Sequence, residues 1–183
     1  MKNSKKIHRV SSALYYTCFA VMAAWSILVI ATLINIWYRP GALADYLNEL
    51  LVPTLIRMGE ADLVRSIPAA SILFAPSVLG IYALWRLSKL FDLWRQAVYF
   101  TTEAATHLFV FSIIAVFNHL FGTLLFATAD FILTIGVPET PYGWPLRING
   151  DEISMLINYG AFLTVSWILL EATKIAEEHS EFV

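Results

Sequence analysis

Four stretches of this chain contain no Asp, Glu, Lys or Arg: Val10 to Tyr38, Ser66 to Trp85, Ala104 to Ala129 and Ile153 to Leu170. A helix needs about 20 apolar residues to cross the hydrocarbon core of a bilayer, with roughly 17 to 25 tolerated, so each stretch is long enough. The pattern predicts an all-α fold: a membrane-embedded bundle of four transmembrane helices, with short amphipathic helices on its surface. The spans are expected at about 12–38, 66–86, 104–129 and 153–171, in one domain covering 1–183. Composition points the same way. Hydrophobic residues make up 58% and charged residues 14%, against about half and a quarter in soluble domains. Lipid, unlike water, demands no polar coat across the middle of a fold.

The basic start, Lys2, Lys5, Lys6 and Arg9, superficially resembles that of a secretory signal. A signal's apolar region runs only about 7 to 15 residues before a small-residue cleavage site, whereas this one continues to Trp37 and Tyr38. It reads as a retained first span. Orientation follows from the Lys/Arg distribution: the N-terminus, the connection between spans 2 and 3 (Arg86, Lys89, Arg95) and the C-terminus (Lys174) together hold eight, and the opposite side (Arg39, Arg57, Arg65, Arg147) holds four. The positive-inside rule then predicts a multi-pass inner-membrane protein with both termini cytoplasmic.

The connections carry their own patterns. Leu43, Tyr46, Leu47, Leu50 and Leu51 recur at helical spacing between Gly41 and Pro53, which predicts an amphipathic helix over Ala42–Leu51 on the external surface. After span 2, Leu87, Leu90, Phe91, Trp94 and Val98 form an apolar stripe beside Arg86, Lys89, Asp92 and Arg95. That segment is expected to continue helix 2 along the inner leaflet, its cations facing anionic headgroups. Thr101 or Thr102 can cap helix 3, with Glu103 in its first turn favourable to the helix dipole. Phe131 to Glu152, with its prolines and glycines, reads as a turn-rich loop.

Polar groups inside spans are costly, so function is sought there first. At about 100° per residue, Glu103, His107 and Asn118 fall on one face of helix 3, the candidate intramembrane polar face, and His119 points elsewhere. We read His107 and Asn118 as interhelical glue, hydrogen-bonded to groups such as Thr17, Ser26, Ser71, Asn158 or Thr164. A b-type haem needs axial ligands on facing helices, and the other three charge-free stretches hold no histidine. No catalytic or metal-binding motif is present, and the one cysteine, Cys18, has no partner in the chain. No cofactor and no enzymatic activity are expected.

The remaining feature is charge at the two chain ends and the second connection. Glu171, Glu177, Glu178 and Glu181 stand against the single Lys174 in the tail. This is either a solvated helix end, neutralised by Arg86, Lys89 or Arg95, or part of a cytoplasmic partner surface made of Arg86, Lys89, Arg95, Glu177, Glu178 and Glu181.

Two segments carry a family likeness: LWRLSKLFDLWRQAVYFTTEAATHL, Leu84 to Leu108, and the closing EATKIAEEHSEFV. They resemble a family of small bacterial four-span membrane proteins known as a domain of unknown function, DUF2975. In that family helix 2 runs into a segment ending in a Phe-Thr turn, here Phe100-Thr101, and an acidic Glu-Glu element, here Glu177-Glu178, precedes a terminal β-branched residue, here Val183. The chain departs from the pattern in having Glu103-Ala104 where a Glu-Asn pair is usual. The resemblance implies an inner-membrane protein often encoded beside a small helix-turn-helix regulator, and hence regulation.

The expectation is therefore a regulatory or sensing partner of a cytoplasmic protein, with a small transporter using the polar residues of helix 3 as the alternative. Expected partners are the lipid bilayer and a cytoplasmic regulator, with self-association as a further option and no direct nucleic-acid contact. Deleting the tail after Thr173 is expected to release such a partner.

Overall fold

The structure, a computed structural model, describes residues 2–39, 63–134 and 150–181. These form helices only, without a strand among the described residues: α1 (Lys2–Tyr38), α2 (Leu63–Arg95), α3 (Thr102–Thr134) and α4 (Gly150–Glu181). Each is long and apolar enough to cross a membrane, and the fold is that of a multi-pass membrane protein built from four helices. At about 1.5 Å per residue, α4 with its 32 residues is roughly 48 Å long. That exceeds a hydrocarbon core of about 30 Å, so the helix continues well past its charge-free stretch Ile153–Leu170.

Surface composition agrees with lipid as the solvent. Ile27, Val78, Val165 and Ile168 are each at least 62% exposed, and an aqueous surface rarely tolerates so many large exposed apolar side chains. In a bilayer such side chains meet acyl tails.

Two compact units can be distinguished. The first comprises Met1–Trp25, Leu79–His119 and Asn149–Val183; the second comprises Ser26–Val78 and Leu120–Ile148. The second has a core of Ile36, Ala69, Ala70 and Ala129, flanked by Leu73, Phe74 and Phe126. In the first, buried positions are dominated by small residues: Ser11, Ser88, Ser112 and Ser166 are almost fully enclosed, along with Ala83, Ala104 and Ala105. Small side chains let helix backbones approach closely, which supplies the van der Waals packing that replaces hydrophobic drive in lipid. Most of these hydroxyls cost little because they find a carbonyl on their own helix. Ser88 donates to Trp85, Ser112 to Leu108 and Ser166 to Leu163, all at 2.8 Å, and Thr173 donates to Leu170 at 2.9 Å.

The helices outrun the expected spans. α2 continues through Pro68 and Pro76 without interruption and on to Arg95. α3 extends to Thr134, four residues into the segment read as loop, because Phe131 and Ile132 continue the apolar run and the first breaker is Gly136. α4 begins at Gly150, with Asp151 and Glu152 placed favourably for its dipole. The rest of that loop and the amphipathic segment Ala42–Leu51 lie outside the described residues.

The stripe after span 2 packs differently from the expectation. Leu90 is only 2% exposed. With Trp94 it lines a small cavity of about 10 Å³ together with Tyr99, Ala104, Leu169 and Thr173. These side chains face α3 and α4, leaving only part of the stripe for a leaflet.

Candidate functional site

The polar chemistry of the first unit gathers at the corner between α2 and α3. α2 ends in a Schellman motif: the Ala97 N–H donates to the Trp94 carbonyl at 3.2 Å, and the Val98 N–H to the Leu93 carbonyl at 3.0 Å. The motif requires a left-handed residue, and Ala97 takes that conformation with φ 66°. The chain then runs to Thr101, whose hydroxyl oxygen accepts the Ala104 N–H at 3.3 Å and so caps α3.

A second cap comes from the tail. The Thr102 N–H donates to Glu177 Oε1 at 3.0 Å, and the Thr102 hydroxyl donates to Oε2 at 2.7 Å. A carboxylate at a helix N-terminus satisfies an otherwise unpaired N–H and meets the positive end of the dipole. Glu177 lies on α4 beyond Leu170, outside the span, and these two bonds, that of the backbone first, hold its carboxyl below the usual range. Farther back on α4, Lys174 pairs with Glu171 at 2.9 Å. Glu178 is exposed.

Three cations near the end of α2, Arg86, Lys89 and Arg95, sit over aromatic rings. The Arg95 guanidinium lies 4.7 Å from the Tyr15 centroid and pairs with Asp92 at 2.6 Å. Gln96 donates to the other Asp92 oxygen at 3.2 Å. Arg86 lies 5.9 Å from the Tyr82 ring and Lys89 lies 5.7 Å from the Trp85 ring. Such contacts contribute about 0.5–1 kcal/mol each at exposed sites.

The expected polar face of α3 is not assembled into one site. Glu103 is exposed. His107 Nδ1 and Asn118 Oδ1 are buried, and neither has a hydrogen-bond partner. The expected glue is therefore corrected for these two atoms: Ser71 and Thr164 instead donate to carbonyls of their own helices, Ile67 and Gly160. A hydroxyl that donates to the preceding turn has used its one hydrogen, which removes it as a donor to His107 Nδ1 or Asn118 Oδ1. Asn118 packs beside Gly80, where an added Cβ would lie 3.7 Å from its Nδ2. The interhelical histidine is His119: its Nε2 lies 3.2 Å from the Glu152 carbonyl oxygen, and its ring lies 5.5 Å from that of Tyr159.

Sequence reasoning finds the Thr101 cap and the charged residues but misses Glu177 as the acceptor for Thr102, a contact across 75 residues that no local pattern encodes. Among the described residues no group of three or more His, Cys, Asp or Glu is arranged to hold a metal ion. The chain matches no family model, no curated protein and no solved structure.

Proposed function

We propose that the chain is a non-catalytic protein of the bacterial inner membrane, both termini cytoplasmic, acting as a regulatory or sensing partner of a cytoplasmic protein such as a basic helix-turn-helix regulator. The observation that carries this reading is the held tail. Glu177 fixes the last turns of α4 against the start of α3, so Glu178 is displayed from an anchored helix. Anchoring reduces the ordering entropy that a flexible acidic run would lose on binding. Of the basic residues in the surface, Arg95 is committed to Asp92, which leaves the acidic end of α4 as the part that would attract a basic partner. The transporter alternative draws on His107 and Asn118 and has less support, because the two stand 11 residues apart on α3 without a shared partner.

Deleting the tail after Thr173 removes Glu177 as well, so it tests the cap and the partner surface together. A cleaner test is the double variant Glu178→Gln, Glu181→Gln, purified from membranes at low and raised salt. It should keep the four spans inserted and lose a cytoplasmic partner that the parent retains at low salt, since exposed charge pairing is screened over about 8 Å at physiological ionic strength. Retention of every partner by the double variant would defeat the reading.

A further inference from the structure

One face of α2 carries Tyr82, Trp85, Arg86 and Lys89, at i, i+3, i+4 and i+7. The Tyr82 and Trp85 rings stack at 5.6 Å between centroids, and both remain about two-fifths exposed, at 44% and 40%. Trp85 closes the charge-free stretch and Arg86 begins the charged one, so aromatic belt and cations occupy adjacent levels of the same face.

The two cations lack an anion. Among the described residues neither Arg86 nor Lys89 has an ion-pair partner, and the nearest carboxylate in sequence, Asp92, has its oxygens occupied by Arg95 and Gln96. Arg86 Nε is buried without an acceptor, and so is the ring nitrogen Nδ1 of His107 without a partner. Two cations without an ion-pair partner leave this face of α2 net positive. A buried N–H without an acceptor is destabilising, because the group has lost water and gained nothing in return. A ligand that suits this face brings negative charge and acceptor oxygens at the level where the charge-free stretch ends.

A phosphate diester has that chemistry, and a bilayer presents it at that level. We infer that Arg86 and Lys89 form a binding site for the phosphate of an anionic phospholipid, with the exposed Tyr82–Trp85 pair lying along its glycerol and upper acyl region. The site goes beyond the partner reading and does not depend on it. It assigns Arg86 and Lys89 to lipid and leaves the acidic end of α4 for a protein.

Native mass spectrometry of the full chain in mild detergent tests the site, with phosphatidylglycerol, phosphatidylcholine of the same acyl chains, and inorganic phosphate as probes. Phosphatidylglycerol should remain bound where phosphatidylcholine is stripped. Lys89→Gln should weaken it about fivefold and Arg86→Gln by at least as much, the effect of removing one cation near a headgroup. Arg95→Gln, with its cation already paired, should leave binding unchanged. Lys89 is exposed, so its variant keeps the experiment decisive should Arg86→Gln fail to fold. Equal retention of the two lipids, or unchanged binding in Lys89→Gln, would overturn the site. Displacement of phosphatidylglycerol by equimolar inorganic phosphate would overturn the lipid as its source.

Discussion

Glu177 shows how one side chain can tie two helices whose sequences give no hint of the contact. Its carboxylate accepts both the N–H and the hydroxyl of Thr102. Because its folded pKa is lowered, the interaction contributes fully above the ordinary carboxylate range and is lost as pH falls through the lowered value. Glu177→Gln keeps one acceptor oxygen and loses the other. Thermal unfolding in detergent should find the variant less stable than the parent at neutral pH. That gap should close once the pH falls below the carboxylate range; a gap that persists unchanged in acid would mean that the carboxylate charge is not what holds the contact. His107 and Asn118 illustrate the converse. Helical periodicity places them on one face, but a face does not specify a neighbour, and the atoms expected to bond across the bundle stand without partners.

At the scale of the element, α2 stops where its sequence has no stop signal. A helix commonly ends on a glycine in the left-handed region because a Cβ costs roughly 1–2 kcal/mol there. Here that position is Ala97, with φ 66°. Ala97→Gly should therefore stabilise the protein by about 1 kcal/mol, read as a raised unfolding midpoint in detergent; a lowered midpoint would mean that the corner depends on the alanine methyl. This also marks the limit of what the sequence reveals. The four charge-free runs locate all four helices, and Thr101 announces the start of α3 through its capping chemistry. The end of α2 is invisible because tertiary packing of Leu90 and Trp94 against neighbouring helices, not a glycine, sets the corner. The end of α3 is read too early because a polar residue, Asp130, is an unreliable stop when apolar residues follow it.

For the whole molecule, the account rests on how the spans are threaded through the bilayer. If all four helices cross, both chain ends lie on one side, and under the proposed orientation, argued from the eight-to-four distribution of Lys and Arg, that side is the cytoplasm. In that proposed orientation the end of α4 and the cations at the end of span 2 would both face the cytosol, where a soluble partner and anionic headgroups could meet them. The most direct measurement is the activity of paired reporters fused after Val183 of the full chain in a bacterial host, one reporter active only outside the membrane and the other only in the cytoplasm. The predicted result is a silent external reporter and an active cytoplasmic one. An active external reporter would contradict the account by removing a span or inverting the topology.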